Sequence, residues 1–263
     1  MRKTSSLFLA VLLTLTASFS PAAEKPKPIK ALLVTGGGFH DYTAQKKTLS
    51  EGLAARLNIE LTVLQEGTAR EHKHSVYENP DWAKGYDVIV HNECFGMVDD
   101  KEFVERVAAP HKAGVPAVIL HASVHSYRNA PTDEWRQVMG QKSMSHEGRR
   151  DLLVKSLDPK HPVMRGFPAE WPNPQDELYK IEKTWENVTP LAKAYGQETK
   201  QDHVVVWLST YGKGRAFVTT LGHLDETMKT DVFLDLVARG LLWSLGKLKD
   251  DGTPAAGYGP GGK

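Results

Sequence analysis

Histidines follow four short apolar runs of this chain, and an imidazole can bind a metal ion or transfer a proton near neutral pH. The four residues are His40, His91, His121 and His223. Runs of Val, Ile and Leu bounded by Gly and Pro are typical of strands buried on both faces of a parallel sheet. Because ligands bind outside the carboxyl ends of such strands, the pattern predicts one imidazole-lined pocket.

A carboxylate completes this predicted pocket. Glu177 lies in an Asp-Glu pair just before a predicted strand. A glutamate beside two or three histidines can act as a metal ligand or as a general base. We therefore predict that His121, Glu177 and His223 form the chemical centre, with His40 and His146 at its rim.

Two chemical arrangements fit these residues, and the sequence leaves both open. In the first, the imidazoles of His121, His146 and His223, together with Glu177, hold Zn²⁺ or another divalent ion, which polarises a carbonyl group or activates water. In the second, a His/Glu pair performs general acid–base chemistry without a metal.

Further residues are candidates for substrate binding. The glycine-rich turn that includes Gly37 lets backbone amides approach a ligand, and His40 and Tyr179 flank the predicted pocket. Trp207 offers an aromatic face on which a sugar ring can stack. The glycine-rich turn is not a GxGxxG fingerprint, and no acidic residue ends the second predicted strand to hold a ribose, so no nucleotide cofactor is expected.

The turn after the fourth predicted strand lacks the glycines that flank a nucleophile elbow. Ser123 in this turn is therefore a candidate substrate-binding residue and not a nucleophile. Cys94, the single cysteine, is expected to be a free, buried side chain, and it has no partner for an internal disulfide.

Predicted elements place these residues in an α/β protein. Strands are expected over about 29–35, 59–63, 88–91 and 117–121, with helices over 43–57 and 101–112 between them. Residues 122–175 are irregular, with short pieces at 135–139 and 152–157. The last predicted elements are strands over 178–181, 189–194, 204–208 and 216–221, the final two in a hairpin, and a helix over 231–245.

The two ends differ from the predicted domain, which spans 29–248. Residues 1–23 combine a basic start, an apolar stretch and a small-residue cleavage site, as in a secretory signal peptide. The apolar stretch is too short for a comfortable membrane span, so we expect a periplasmic or secreted protein without stable membrane anchoring. Residues 24–28 form a linker, and the Gly/Pro-rich residues 249–263 predict a disordered tail.

The charge balance indicates which classes of binding partner are expected. The chain has 33 Lys and Arg residues against 32 Asp and Glu residues, and loss of Arg2 and Lys3 leaves 31 against 32, a net charge near −1. No basic block is present, so nucleic acid is not expected as a partner. A small-molecule sugar is the expected ligand, and the sequence is compatible with a homodimer.

At these residues the chain resembles the ThuA-like (trehalose-utilisation) family over about 29–246. The matching segments are Val34–Gly37, Phe39–Asp41, His121, Asp158–Pro162, Asp176–Tyr179, Tyr211–Arg215, Leu221–His223, Arg239–Gly240 and Trp243. The resemblance implies the fold of class I glutamine amidotransferases, a flavodoxin-like, doubly wound, mostly parallel sheet with helices on both faces, here with an added β-hairpin.

The resemblance also implies a role in carbohydrate catabolism. The expected protein is a hydrolase or lyase acting on a (3-keto) disaccharide or glycoside through the His/Glu pocket. One alternative is a non-catalytic sugar-binding domain. Another is an amidohydrolase that depends on Cys94, which the missing cysteine elbow disfavours.

Overall fold

The computed structural model describes residues 26–262, so the predicted signal peptide lies outside the described residues. The strands are β1 (Ile29–Gly37), β2 (Ile59–Gln65), β3 (Val88–Cys94), β4 (Ala117–Leu120), β5 (Gln141–His146), β6 (Arg150–Ser156), β7 (Glu170–Asp176), β8 (Tyr179–Thr184), β9 (Val188–Tyr195), β10 (Asp202–Tyr211) and β11 (Gly214–Thr219). The α-helices are α1 (Tyr42–Ala54), α2 (Lys101–Ala113), α3 (Glu134–Met139), α4 (Asp225–Met228) and α5 (Asp231–Ser244).

Nine strands form one sheet in the order β2-β1-β3-β4-β11-β10-β9-β6-β7. The first five strands are parallel and the last four run antiparallel to their neighbours. The start of this order is that of flavodoxin-like, doubly wound sheets, so the predicted fold is confirmed. The β10–β11 hairpin is the predicted one, and β5 pairs with β8 in a separate two-stranded antiparallel sheet.

The parallel strands bury both faces, which explains their unbroken apolar runs. Leu33 and Val90 belong to the apolar core that contains residues of α1 and α5, whereas Leu32 and Ile89 belong to the core that contains residues of α2 and α3. Successive side chains of a strand point to opposite faces, so one run supplies both cores.

Short polar side chains determine where the covering helices begin. The carboxylate of Asp41 accepts a hydrogen bond from the backbone amide of Ala44, and that of Asp100 accepts one from the amide of Phe103. Each bond satisfies an amide that has no partner within its helix, and such a cap contributes about 1 kcal/mol. The helices α1 and α2 therefore start directly after the loops that follow β1 and β3.

The predicted strand over 88–91 is too short. In the structure β3 continues to Cys94, because its register against β1 runs on from Val34↔His91 to Gly37↔Cys94. His91 therefore lies within the strand and is fully buried. It does not follow the strand, as the sequence pattern predicts.

The Gly/Pro-rich tail differs from the prediction of disorder. The backbone amide of Asn58 donates to the carbonyl of Tyr258, and the side-chain amide of Asn58 donates to the carbonyl of Gly257, at 3.1 and 3.0 Å. A bridge joins Leu248 and Pro254. The glycines permit the turns that this packing needs, since Gly257 has a φ of 90°.

Within residues 26–262, no helix has both the length and the apolar character needed to cross a bilayer.

Candidate functional site

A cavity of about 210 Å³ opens at the carboxyl edge of the parallel strands. Its lining includes His40, His146, Glu177, Tyr179 and His223. His40 follows β1, and His223 follows β11. The cavity therefore lies where ligands bind to doubly wound sheets.

Three imidazoles meet beside this cavity. The ring centroids of His40 lie 4.9 Å from those of both His121 and His223, and the latter two are 5.4 Å apart. One ring nitrogen from each residue can be chosen so that all three lie within 4.8 Å of one another. Three loops that are distant in the sequence thus converge on one point.

His121 occupies a strained position directly after β4. Its φ is 39°, in the left-handed region that few residues other than glycine adopt. In related folds this strand-to-helix turn presents the nucleophile of an elbow, and here it presents an imidazole. Backbone strain of this kind costs about 1–3 kcal/mol and occurs mostly at functional sites.

The hydrogen bonding of His121 leaves one nitrogen free. Its Nδ1 lies 2.6 Å from the carbonyl oxygen of Thr220, so Nδ1 donates and Nε2 carries the lone pair of the neutral ring. Among the described residues, Nε2 has no hydrogen-bond partner, although it is buried. This is the arrangement of a metal-ligating or proton-accepting histidine.

Glu177 lies among three imidazoles without a close hydrogen bond to any of them. Its carboxylate oxygens are 3.4 Å from Nδ1 of His223, 3.6 Å from Nε2 of His146 and 3.7 Å from Nε2 of His121. Hydrogen bonds between nitrogen and oxygen are normally about 2.7–3.2 Å long. The spacing leaves room for a proton, a water molecule or a metal ion to join these groups.

Asp176 positions the loop that carries His223. Its buried carboxylate accepts hydrogen bonds from the backbone amides of Gly222 and His223, at 2.9 and 3.3 Å, and from the side chain of Asn173 at 2.6 Å. Burial raises the pKa of Asp176, and the bonds from Gly222 and its other neighbours oppose that shift. The sequence paired Asp176 with Glu177, but only the structure separates a positioning residue from one that lines the cavity.

Burial keeps the imidazoles neutral. It lowers the pKa of His40 from 6.5 to about 3, helped by the neighbouring His121 and His223, and that of His121 to about 4. Burial opposes ionisation of Glu177, but His223, His121 and His146 outweigh it and lower the pKa of Glu177 to about 2. At neutral pH the site therefore combines two unprotonated rings, those of His40 and His121, with one carboxylate.

The donor set suits a divalent metal such as Zn²⁺. Zinc binds neutral imidazole and carboxylate at about 2.1 Å, which places tetrahedral ligands about 3.4 Å apart. The distances from Glu177 to the nitrogens of His223 and His121 are 3.4 and 3.7 Å, close to that value. His40 replaces the predicted His146 in the imidazole trio, because His146 lies at the end of β5 and reaches the others only through Glu177.

Tyr179 and His125 form the wall beside this centre. Their rings stack with centroids 3.8 Å apart at an interplanar angle of 11°. His125 also bonds to the hydroxyl of Ser143 through Nε2, at 2.9 Å. The sequence prediction omitted His125 from the site, although it belongs to the same histidine-rich turn as His121.

Arg149 is a second residue that the sequence prediction missed. Its guanidinium donates to Nε2 of His223 at 3.2 Å, which directs the Nδ1 proton of the neutral ring toward Glu177. Binding of a metal by Nδ1 would instead require the ring proton on Nε2 and the loss of this bond to Arg149. Arg149 lies in an irregular segment between two short strands, and no local pattern marks it.

Three of the predicted binding residues lie away from the ligand space. Trp207 is completely buried in β10 and donates to the carbonyl of Met139 at 2.6 Å. Ser123 is buried, and its hydroxyl donates to the backbone carbonyl of Glu93. The amide of Gly37 already donates to the carbonyl of Gly67, so it is not free for a ligand.

Cys94 lines the cavity but is not an activated thiol. Only 6% of the residue is exposed, and burial raises the pKa of its thiol to about 11. Since the thiolate is the nucleophile in cysteine catalysis, this environment disfavours a cysteine-dependent amidohydrolase.

Solved structures of similar fold include two ThuA-like proteins. The chain is similar to a ThuA-like protein from Parabacteroides merdae, with 20% identity, a TM-score of 0.69 and coverage of 89% of this chain and 97% of that one. It is also similar to a ThuA-like protein from Bacteroides uniformis, with 18% identity, a TM-score of 0.64 and coverage of 89% and 98%. At these identities the likeness shows the fold alone.

A comparison with the curated proteins found no match. The model of the family described as "ThuA: Trehalose utilisation" matches residues 30–244, nearly all of the predicted domain. That range contains the three converging histidines and Glu177. The chain therefore belongs to the ThuA family, whose description supports a role related to carbohydrates.

Proposed function

We propose that this protein is an exported hydrolase or lyase that cleaves a 3-keto disaccharide or glycoside. The observation that carries the proposal is the convergence of His40, His121 and His223 on Glu177, with the buried Nε2 of His121 left without a partner among the described residues. The proposal of export rests on the predicted signal peptide over residues 1–23, and the reaction would then take place in the periplasm or outside the cell.

A 3-keto group allows an imidazole, acting as a base, to start the cleavage of the glycosidic bond. The carbonyl at C3 acidifies the hydrogen on C2, so a base can remove that proton and leave the electron pair in an enolate. The pair then forms the C1–C2 double bond, the C1–O bond breaks, and the departing oxygen takes up a proton. Addition of water to the double bond completes hydrolysis, whereas release of the unsaturated sugar completes a lyase reaction.

His121 suits the role of the base. Its ring is neutral, its Nδ1 proton is held by Thr220, and its Nε2 lone pair faces Glu177 across 3.7 Å. Once Nε2 takes the C2 proton, the Glu177 carboxylate stabilises the imidazolium that forms. His223, whose position is fixed by Asp176, holds the same carboxylate from the other side.

The site also fits a metal held by His40, His121 and His223, with Glu177 as a fourth ligand. When bound, the ion would supply a Lewis acid that polarises the 3-keto carbonyl. Metal analysis of protein purified without a histidine tag tests this part. Near-stoichiometric metal in the wild-type protein that is lost in a His121→Ala/His223→Ala variant would support the metal site. If the wild-type protein is free of metal, the metal site is wrong and the acid–base mechanism without a metal is retained.

The reaction is tested directly with 3-keto-trehalose and methyl 3-keto-glucoside. We expect the wild-type protein to release the free sugar or methanol, and Glu177→Gln and His121→Ala to lose at least about a hundredfold in turnover. His161→Asn is a matched control, because this histidine caps a distant turn with a side-chain nitrogen that asparagine oxygen can replace. If the protein binds both compounds but cleaves neither, the proposed enzymatic activity is wrong and the protein is a sugar-binding domain.

A further inference from the structure

Two exposed apolar side chains lie at the mouth of the cavity. Phe39 is 47% exposed and Met97 is 46% exposed, and both line the same cavity as Glu177 and His223. The other large apolar side chains with comparable exposure in residues 26–262, such as Leu153, lie elsewhere. Exposed apolar surface beside a polar pocket is a common property of ligand sites.

Arg70 holds these two side chains in one surface. Its guanidinium carbon lies 4.4 Å from the centroid of the Phe39 ring, a cation–π contact that covers part of the ring. Its backbone carbonyl accepts a hydrogen bond from the amide of Met97 at 3.0 Å. We call Phe39, Arg70 and Met97 the mouth patch.

The two ends of the cavity therefore differ in polarity. The inner end carries imidazoles and a carboxylate, which can bond to sugar hydroxyls. The mouth patch offers an aromatic ring, a thioether and a single guanidinium. A second sugar at the mouth could bond only to the guanidinium of Arg70, and its hydroxyls against Phe39 and Met97 would lose water without gaining a hydrogen-bond partner, which is unfavourable. A flat apolar group would bring no such cost and would stack on Phe39 and Met97.

We propose that the mouth patch is a subsite for an aromatic aglycone, attached through the glycosidic oxygen to a sugar bound at the His/Glu end. This inference rests on the proposed function, because it assumes that the inner end holds a 3-keto sugar. It narrows the substrate from glycosides in general to aryl glycosides. The glycosidic bond would then lie between the mouth patch and Glu177.

Binding of two uncleavable ligands tests the subsite. The probes are the phenyl and methyl C-glycosides of 3-keto-glucose, in which a carbon–carbon bond replaces the bond that breaks. We expect the wild-type protein to bind the phenyl compound about fivefold to tenfold more tightly, measured by calorimetry. Phe39→Ala and Met97→Ala should remove most of this preference and leave the affinity for the methyl compound unchanged.

The controls separate the possible failures. Leu153→Ala removes an equally exposed apolar side chain outside the cavity and should leave the preference intact, as should Phe39→Trp, which keeps an aromatic face. Equal binding of both probes to the wild type overturns the subsite and leaves the proposed function standing. A Phe39→Ala variant that loses both affinities equally also overturns it. Binding of neither probe overturns the proposed function and the subsite together.

Discussion

The protein contains two clusters of histidine and glutamate, one at the cavity and one in the core. In the core cluster, Tyr77 donates to a carboxylate oxygen of Glu93 at 2.9 Å, and Nδ1 of His91 lies 2.9 Å from the same oxygen. Nε2 of His91 lies 3.0 Å from Nε2 of His111. These are ordinary hydrogen-bond lengths, whereas the contacts of Glu177 at the cavity are 3.4–3.7 Å long.

The positions of the protons in the core cluster follow from its geometry. Nδ1 of His111 must donate to the carbonyl of Val115, at 2.9 Å, and burial lowers the pKa of His111 to about 3. Nε2 of His111 is therefore an acceptor, and Nε2 of His91 must donate to it. Every imidazole nitrogen in this cluster is engaged, so it stabilises the fold and has none available for a ligand.

Residue type alone does not identify a functional site in this protein. Both clusters combine imidazoles with a carboxylate, and both are largely buried. Within the described part of the chain, two imidazole nitrogens of the cavity cluster, Nε2 of His121 and Nδ1 of His223, are buried without a hydrogen-bond partner. In the core cluster the unpartnered atom is a carboxylate oxygen, Oε2 of Glu93, and no imidazole nitrogen is free. A buried polar atom without a hydrogen-bond partner destabilises the folded protein, and such destabilising features are found mainly where function requires them.

The largest expected effect comes from breaking the core cluster. His91→Ala leaves the carboxylate of Glu93 buried without its imidazole partner and His111 without its donor. We expect a loss of about 3–5 kcal/mol in the free energy of unfolding, measured by urea denaturation. A loss under about 1 kcal/mol would contradict the structural role given to this cluster.

The matching change at the cavity should have the opposite profile. Glu177→Gln preserves the shape of the side chain, so we expect the free energy of unfolding to change by less than about 1 kcal/mol. Turnover of a 3-keto glycoside should still fall at least about a hundredfold. Measuring both quantities on both variants separates function from stability, and equal stability losses would remove the distinction.

Acid should reveal the neutral imidazoles. The pKa of His40 is about 3 in the folded protein and 6.5 ordinarily, so the unfolded chain binds more protons between these values. The free energy of unfolding should therefore fall as pH drops from 6.5 toward 3, by at most about 1.4 kcal/mol per pH unit for this group. Urea denaturation from pH 7 to 4 should show a shallower decline in His40→Gln, and an unchanged decline would be inconsistent with a neutral His40.

The smallest expected effect on turnover concerns Trp207. Trp207→Phe removes the hydrogen bond to Met139 and part of a buried ring, so we expect a loss of about 2 kcal/mol in the free energy of unfolding. Turnover of a 3-keto glycoside should stay within about twofold of the wild-type value. A large rise in the KM of this variant would show instead that Trp207 contributes to ligand binding.

Much of the fold was accessible from the sequence because apolar runs and helix caps are local signals. Strands β1, β2, β4 and β11 and helices α2 and α5 lie close to their predicted ranges. The end of β3 was not accessible, because strand length depends on pairing with β1, and that error placed His91 at the pocket. Strand β7 was missed because its sequence contains two prolines and little alternation.

The site was predicted less completely, since its geometry depends on contacts between distant loops. The structure brings His40, His121, Glu177 and His223 together, as the strand-end pattern predicts. His146, the predicted third metal ligand, lies outside that pattern, and its position depends on the pairing of β5 with β8, two segments distant in the sequence. Arg149 and the role of Asp176 depend on tertiary hydrogen bonds for which the chain has no local sequence signal.

The hydrogen bonds of Asp176 have a consequence for motion. Asp176 ends β7, the outermost strand of the sheet, yet it holds the amides of Gly222 and His223 at the centre. Edge strands open locally more readily than central ones. Whenever β7 detaches, the loop carrying His223 loses its anchor, so amide hydrogen exchange at Gly222 should follow the opening rate of a strand at the far margin of the molecule.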